Sequence, residues 1–499
     1  MNNGIVSRAS ASQPAPGPLD KSRLTLLTCC FSLFMAQLDA TAVNVALPSI
    51  GEDLGGGISD LQWVVDAYVL VLACLGMSGG GIGDRYGRRR VYRIGLIVFS
   101  LASLGCGLAP ALGVLIAFRM VQAAGASMLM PVTLSIITNT FIAPAARARA
   151  IGTWMAAGGV AAGVGPLIGG ALTSALGWQA IFWINVPVGA LALALTRLYV
   201  TESRAAERRS LDIPGQALLG CSLAALSYAL IEAPRVGWAS TPTLSLLAGA
   251  GLGALCFVAV EFRTDRPLVE PRYFRDRAFA GAAGIAVLTY LAIMGAQFLS
   301  SLYLQQVRGL SPLAAGAMLL PTSVALAAAS PLAGRLTARY GPRPVVVTAT
   351  VFLAGGLALL AGTTPSTSPP FLVIAYLLIG AGWGSLNPPL TGVAIDTMPP
   401  DQAGVASAAV GASRQLGAVL GVAVMGSLTT TLTRTGLEHR VPHPEADPAT
   451  LIMAGGQAAR AVFTSATHVA FAAGAGAVVV AMIVALATMP QRARPRSSS

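Results

Sequence analysis

Residues 24–47, LTLLTCCFSLFMAQLDATAVNVAL, decide the fold class: the run carries one formal charge, Asp39, and is otherwise apolar or weakly polar. As a helix rising 1.5 Å per residue it spans about 36 Å, enough to cross a hydrocarbon core of roughly 30 Å. Water does not reach backbone groups in that layer, so the run must bond its own carbonyls as a helix. The residues before it, 1–23, are polar, with Pro14, Pro16 and Pro18 and the charges Arg8, Lys21 and Arg23, and read as a disordered cytoplasmic tail. The run is too long for a leader core and no small-residue cleavage site follows, so it is a retained first span.

Similar runs recur at 61–82, 93–112, 114–140, 150–173, 179–199, 214–233, 243–262, 279–303, 313–334, 345–363, 371–395, 404–432 and 467–488. Of the 499 residues, 55% are hydrophobic and 10% charged, against about 25% charged in soluble domains. Mean hydropathy is +0.70. A soluble fold is excluded, and the expected class is an all-α polytopic membrane protein embedded in the lipid bilayer. The net charge of +12 does not point to nucleic acid, because the basic residues lie in short loops rather than on one soluble face. Cys29, Cys30, Cys74, Cys106, Cys221 and Cys256 all fall inside spans with no CxxC, and read as small packing residues. His439, His443 and His468 lack zinc-ligand spacing. No metal, no cofactor and no obligate protein partner is expected.

The basic residues orient the spans. With the N-terminus in the cytoplasm, twenty-five of the thirty-two lysines and arginines lie on that side; Arg235, Arg308, Arg434, Arg440 and Arg460 lie outside, and Arg119 and Arg414 within spans. Positive charge is retained on the cytoplasmic side of short loops, so the bias predicts an inner (plasma) membrane protein with both termini inside.

An internal repeat divides the chain. Residues 80–89, GGIGDRYGRR, return at 334–343 as GRLTARYGPR, an offset of 254. Two six-helix halves alone would repeat at about 190 to 200 residues, and the excess of roughly 60 matches two extra spans placed between parallel repeats. The expected order is an N-terminal six-helix bundle at 24–199, a linker at 200–262 with two added helices, a C-terminal six-helix bundle at 263–488 and a cytoplasmic tail at 489–499.

Asp39 is the leading candidate for coupling. It lies about 22 Å from the start of its run and about 12 Å from the end. A carboxylate at that depth is costly unless neutralised, paired or hydrated, so it can take and release a proton as water access changes. Thr41 and Asn44 are placed to orient it or to line the same cavity. Arg119, with Gln122 almost one turn on, cannot usefully deprotonate; its expected role is to modulate a nearby carboxylate, or to snorkel to the outer interface. Asp66 is either a second coupling acid or, with Trp63 and Tyr68, part of an interfacial band. Glu232, near a helix end, is interfacial or meets cationic substrates, and Arg414 pairs with an acid or lines the cavity. The segment 158–170, GGVAAGVGPLIGG, which contains Gly165, Pro166, Gly169 and Gly170, permits close helix approach and reads as a pivot or seal between halves, or as bare packing. In the loop from Asp84 to Arg90, Asp84 can accept from an arginine or a helix N-terminus and latch the cytoplasmic side, with Arg85, Gly87 and Arg88 completing the gate; the second copy has Ala338 in its place.

These segments together resemble the major facilitator superfamily, and within it the fourteen-helix drug:proton antiporters. The likeness is carried by LDATAVNVALP at 38–48, WVVDAY at 63–68, the Asp84 to Arg90 loop, Arg119 with Gln122 and Gly125, Gly165-Pro166 through Gly170, FWINVP at 182–187 and YLQQ at 303–306, and covers roughly residues 25–490. It implies a fold of two six-helix bundles plus two additional central helices. It further implies that Asp39 matches the first-helix acid tied to proton or drug exchange, Arg119 the fourth-helix coupling arginine, Gly165-Pro166 the fifth-helix antiporter segment and Asp84 the cytoplasmic gate acid. The departures are Ala123, where glycine is usual, Ala146 before Arg147, where an acid is common, and Gln179-Ala180 after Trp178.

The function expected is proton-coupled efflux, by alternating access, of hydrophobic drugs or antibiotics, cationic ones among them. Protons and a small hydrophobic substrate are then the partners, and no enzymatic chemistry is involved. The rivals are a proton-coupled importer or facilitator of a nutrient, and a non-transporting receptor or scaffold. The topology is directly testable: a fluorescent protein fused to either terminus should fold and fluoresce in a bacterial host, and alkaline phosphatase fused there should be inactive. The reverse pair of results would invert the orientation.

Overall fold

Every apolar run becomes a helix, and most helices outlast the run that seeds them. The computed structural model describes residues 21–204, 212–264, 271–398, 403–438 and 457–491. In it the helices are α1 (Lys21–Leu54), α2 (Ile58–Tyr86), α3 (Arg88–Gly107), α4 (Leu112–Thr140), α5 (Pro144–Leu176), α6 (Ala180–Tyr199), α7 (Ile213–Val236) and α8 (Thr241–Glu261). They continue as α9 (Arg277–Leu302, prolonged by a π turn at Tyr303–Val307), α10 (Pro312–Tyr340), α11 (Pro342–Leu360), α12 (Pro369–Asp396), α13 (Ala403–Glu438) and α14 (Gln457–Thr488). Among the described residues, fourteen spans are long and apolar enough to cross a membrane. No strand occurs among the described residues.

Helix ends follow local chemistry more than hydropathy. Lys21–Arg23, expected in the tail, already belong to α1, because a helix keeps bonding its own backbone past the lipid boundary; residues 1–20 lie outside the described residues. α3 stops at Gly107, short of the expected 112, since Pro110 disfavours helical geometry in the residue before it. α5, α10, α11 and α12 open on prolines, at positions whose N–H has no intrahelical acceptor in any case. The sequence repeat is also a repeat of backbone geometry. Gly87 ends α2 with φ +106° and Gly341 ends α10 with φ +88°, a left-handed region that glycine enters without steric cost.

The same set of helix pairs occurs twice. α1 packs on α5, α2 and α3 on α4, and α6 on α1 and α3; eight helices later α9 packs on α13, α10 and α11 on α12, and α14 on α9 and α11. The two sets meet through α2 with α13, α5 with α10, and α1 with α9. α7 packs on α8 and lies along the α2–α13 seam, while α8 buries only 11% of its apolar window against protein.

With alternating helix directions, one end of the bundle, here the base, holds the start of α1 and the end of α14; the other is the crown. Hydrogen bonds tie the two sets together toward the crown: Ser301 Oγ donates to the Asn44 carbonyl (2.5 Å), Gln305 Nε2 to that of Val45 (2.8 Å) and Gln62 Nε2 to that of Val422 (2.8 Å), and Ser174 Oγ accepts from Leu313 N (3.1 Å). The Gly-Pro segment of α5 lies at this junction. A Cβ on Gly169 would come within 2.8 Å of Ala42 on α1, one on Gly170 would press on the Pro312 carbonyl, and one on Gly316 of α10 on the Pro166 carbonyl. Toward the base, residues 144–157 of α5 and 324–340 of α10 are mostly exposed or half-exposed. The molecule is thus closed at the crown and parted at the base.

Overpacking that junction has a cost of about 1–3 kcal/mol. Gly170→Leu should therefore lower the temperature at which the detergent-solubilised protein loses monodispersity. Gly249→Leu on α8, where a Cβ would have nothing within 4 Å, should leave it unchanged.

Candidate functional site

Four of the first six helices converge on Asp39. The side chains of Asp39 and Arg119 are each 1% exposed. Arg119 Nη1 pairs with Asp39 Oδ2 at 2.5 Å, and Asp39 Oδ1 accepts from Gln122 Nε2 (2.8 Å) and Asn185 Nδ2 (3.0 Å). Both amides also donate to Ser103 Oγ (3.1 and 3.0 Å), which donates in turn to the Phe182 carbonyl (2.9 Å). Gln122 Oε1 accepts a second bond from Arg119 Nη1 (2.9 Å). The guanidinium stands over the Tyr68 ring at 4.1 Å from its centroid and faces Phe182 at 5.7 Å, so its planar faces are covered by π-systems rather than by water.

Local structure explains the convergence. Arg119 and Gln122, three apart, share one face of α4. Asn185 stands where α6 breaks at Ile184 between Ala180–Trp183 and Asn185–Tyr199, so its amide turns inward beside the Phe182 carbonyl. Each charge is compensated and hydrogen-bonded, the condition under which a buried ion pair is tolerated.

Of the residues expected from sequence, Asp39, Arg119 and Gln122 come together, and Arg119 does not snorkel. Of the settings in which a carboxylate at that depth is tolerable, neutralised, paired or hydrated, Asp39 takes the paired one in this closed-crown conformation, buried against Arg119 within α1–α6. Thr41 and Asn44 do not orient Asp39. Thr41 Oγ1 donates to the Gln37 carbonyl (2.9 Å) and Asn44 Nδ2 to that of Ala40 (3.2 Å), since both lie on other faces of α1. Thr41 instead abuts Gly165, and the Asn44 carbonyl joins the crown seam.

Asp66 stands apart from this network. It is fully buried and neither of its carboxylate oxygens has a partner. An interfacial band is not what its neighbours form: Tyr68 is buried over Arg119, and Trp63 packs on Tyr228 of α7 at 5.8 Å between centroids. Gln62 and Leu70, one turn before and one turn after Asp66, face Val422 and Val419, which sets Asp66 on the α2–α13 seam.

Glu232 lies near the crown end of α7, half-buried, and pairs with exposed Arg235 at 3.6 Å, an i,i+3 contact. Arg414 forms no ion pair with any described acid; its Nη2 donates to Thr391 Oγ1 (2.5 Å). At the base, Asp84 Oδ1 accepts from Arg88 Nε (2.9 Å) and Nη2 (2.8 Å), so the acid is paired within its own loop. In the second copy both partners are replaced, by Ala338 and Pro342. Arg85 lies over the Tyr86 ring at 5.6 Å, as Arg339 lies over Tyr340 at 5.1 Å. The α3 N-terminus is capped by Glu202, which accepts from the backbone of Arg89 (3.0 Å) and Arg90 (3.1 Å); a Cβ on Gly87 would collide with that carboxylate.

Sequence reasoning missed Asn185, Ser103 and Glu202 as site residues. An amide two residues before Pro187 in an apolar run was a usable signal for Asn185. A serine within a span, or an acid after one, carries none.

A bundle of fourteen membrane helices with twofold-repeated pairing and a buried ion pair defines a polytopic transport protein. Residues 29–422 match the Major Facilitator Superfamily. The chain is 38% identical over 425 residues to the multidrug resistance protein Stp of Mycobacterium tuberculosis, covering 85% of this chain and 79% of that one. It is also 38% identical over 421 residues to the methylenomycin A resistance protein of Streptomyces coelicolor, covering 84% and 88%. It shares its fold, at a TM-score of 0.68 and 19% identity over 95% of this chain and 97% of the other, with a bacterial homologue of the human lysosomal transporter Spinster in an inward-facing, occupied conformation. The chain therefore belongs to the Major Facilitator Superfamily, among its fourteen-helix members of the multidrug- and antibiotic-resistance type, and is a secondary transporter of small molecules.

Removing one partner of a buried pair strands the other charge, at a cost of about 3–5 kcal/mol. Asp39→Asn and Arg119→Gln should each destabilise the purified protein, and the double variant should lose clearly less than the sum of the two. Additive losses would show that the pair is not coupled.

Proposed function

We propose that the protein is a proton-coupled exporter of hydrophobic small molecules, working by alternating access in the inner membrane with both termini in the cytoplasm. The Asp39–Arg119 pair and its amide shell carry this reading. In the conformation closed at the crown, Asp39 is paired with Arg119. When the crown opens and water reaches α1, a proton from outside neutralises Asp39 and leaves the Arg119 charge without its counter-ion. The guanidinium must then find new acceptors, and that rearrangement between α1 and α4 drives the return. Proton release to the cytoplasm restores the pair. One proton moving inward through 100 mV supplies about 2.3 kcal/mol, worth between one and two decades of substrate gradient. Asp66, sealed on the α2–α13 seam, serves as a second proton acceptor whose surroundings change as the two sets move apart.

Three observations support the direction and the cargo. The parted base faces the cytoplasm in the orientation given by the basic residues, so substrate loads from inside. An apolar cavity of about 420 Å³ lies near the base between α7, α8 and α13, walled by Leu219, Leu223, Phe257, Phe274 and Leu416, within the range of small-molecule pockets, roughly 300–1,000 Å³. The relatives named above are resistance proteins, which fits export.

Everted membrane vesicles with an acidified lumen test the reading. A transported fluorescent dye should accumulate in the lumen as protons leave it, and Asp39→Asn should abolish both movements. Dye leaving the lumen together with protons would indicate import, and proton-independent dye movement would remove the coupling role of Asp39.

A further inference from the structure

The charges within the spans are not equally accessible. Asp39 and Arg119 neutralise each other and Asp66 is fully buried. Arg414, eleven residues into α13, is only half-buried, pairs with no described acid, and has a buried Nε with no acceptor. The interior of α9–α14 offers it none among the described residues: Asp276 caps the start of α9, and Asp396 and Glu438 are exposed at the ends of α12 and α13. An unpaired guanidinium at this depth is costly, and its fork of donors matches a carboxylate or phenolate oxygen.

Its surroundings continue as a stripe. Tyr376, Trp383, Asn387 and Thr391 recur at intervals of seven, four and four residues on α12, which places them on one helix face. Thr391 bonds Arg414. Asn387 Oδ1 accepts from Tyr290 OH (3.1 Å), and the Tyr290 ring meets Trp383 edge-on at 6.1 Å. Trp383 Nε1 is a buried donor without an acceptor. Tyr376 and Trp383 border a cavity of about 40 Å³ whose other wall, Ala162 and Pro166, belongs to α5. That cavity borders the crown half of the α12 face, and Thr391 with Arg414 stands on its base half.

We propose that this stripe binds the transported substrate, and that the substrate is an aromatic or otherwise planar apolar compound bearing an acidic group, which pairs with Arg414 while its ring system packs along Trp383 and Tyr290. The proposal rests on the exporter reading for its direction only, and it replaces the expectation of cationic cargo: a cation on this surface meets an uncompensated arginine and, among the described residues of α9–α14, no interior acid.

Two xanthene dyes of opposite charge, fluorescein and rhodamine 6G, separate the alternatives. Their fluorescence anisotropy would be titrated with the full-length protein in nanodiscs. Fluorescein should bind at least tenfold more tightly than rhodamine 6G, Arg414→Gln should weaken fluorescein at least tenfold without affecting rhodamine 6G, and Arg414→Lys should retain part of the affinity while remaining equally monodisperse. Equal binding of the two dyes, binding of neither, preference for the cation, or fluorescein affinity unchanged in Arg414→Gln would each overturn the proposal. Selective fluorescein binding without proton-linked movement in everted vesicles would uphold it and defeat the exporter reading instead.

Discussion

A guanidinium and a carboxylate held out of water are the constraint around which the first six helices are arranged. Neither Asp39 nor Arg119 is tolerable alone at that depth, so α1 and α4 must present them to each other, and Gln122 of α4, Asn185 of α6 and Ser103 of α3 must supply the amides and hydroxyl that fill the remaining bonding positions. The aromatic rings of Tyr68 and Phe182 complete the enclosure. Such an arrangement has no graded intermediate. Adding one proton to Asp39 leaves a charge without its counter-ion, and the low dielectric that strengthened the pair makes the new state unfavourable. In the proposed cycle that is how a particle as small as a proton acts on whole helices.

The rest of the bundle keeps those helices able to move. Toward the crown the two sets approach through glycines and through bonds from Ser301, Gln305 and Gln62 to opposing backbone carbonyls. Those bonds are short-ranged and separable, and beside them buried apolar side chains of the two sets, Leu47 and Leu61 with Leu299 and Leu304 among them, belong to one cluster. The buried pair lies inside one set rather than between the two, so loading of the proton and opening of the seam are distinct events coupled through α1, which touches both α5 and α9. The twofold likeness is broken where the chemistry lies. The base loop of the first copy joins Asp84 to Arg88, whereas the second has Ala338 and Pro342. The first set carries the acid of the buried pair, while the interior of the second carries Arg414 and no described acid.

Fourteen helices, their order and the repeat were legible from the sequence, because transfer of about twenty residues into lipid leaves one backbone solution and because glycine at positions 87 and 341 marks the same turn twice. Asp39 and Arg119 were legible as candidates for the same reason: a charge in an apolar run has few bland explanations. The pairing of the two with Gln122 was only partly legible, since residues 80 positions apart meet through the rotation of α1 and α4 about their axes, which hydropathy does not encode. Ser103 gave no warning, and Asn185 only that of an amide two residues before Pro187 in an apolar run. Thr41 and Asn44 pointed elsewhere on α1 although they are near Asp39 in sequence, and Glu232 pairs with Arg235 on its own helix.

The sequence by itself determined that this chain crosses the membrane, how many times, and which few ionisable groups it carries into lipid, because burial of backbone and charge is governed by one-dimensional cost. Only the tertiary structure decided which of those charges neutralise each other, which are sealed and which remain open. Compensation in a low dielectric falls off within a few ångströms and depends on the facing of helices, a three-dimensional property that no single span contains.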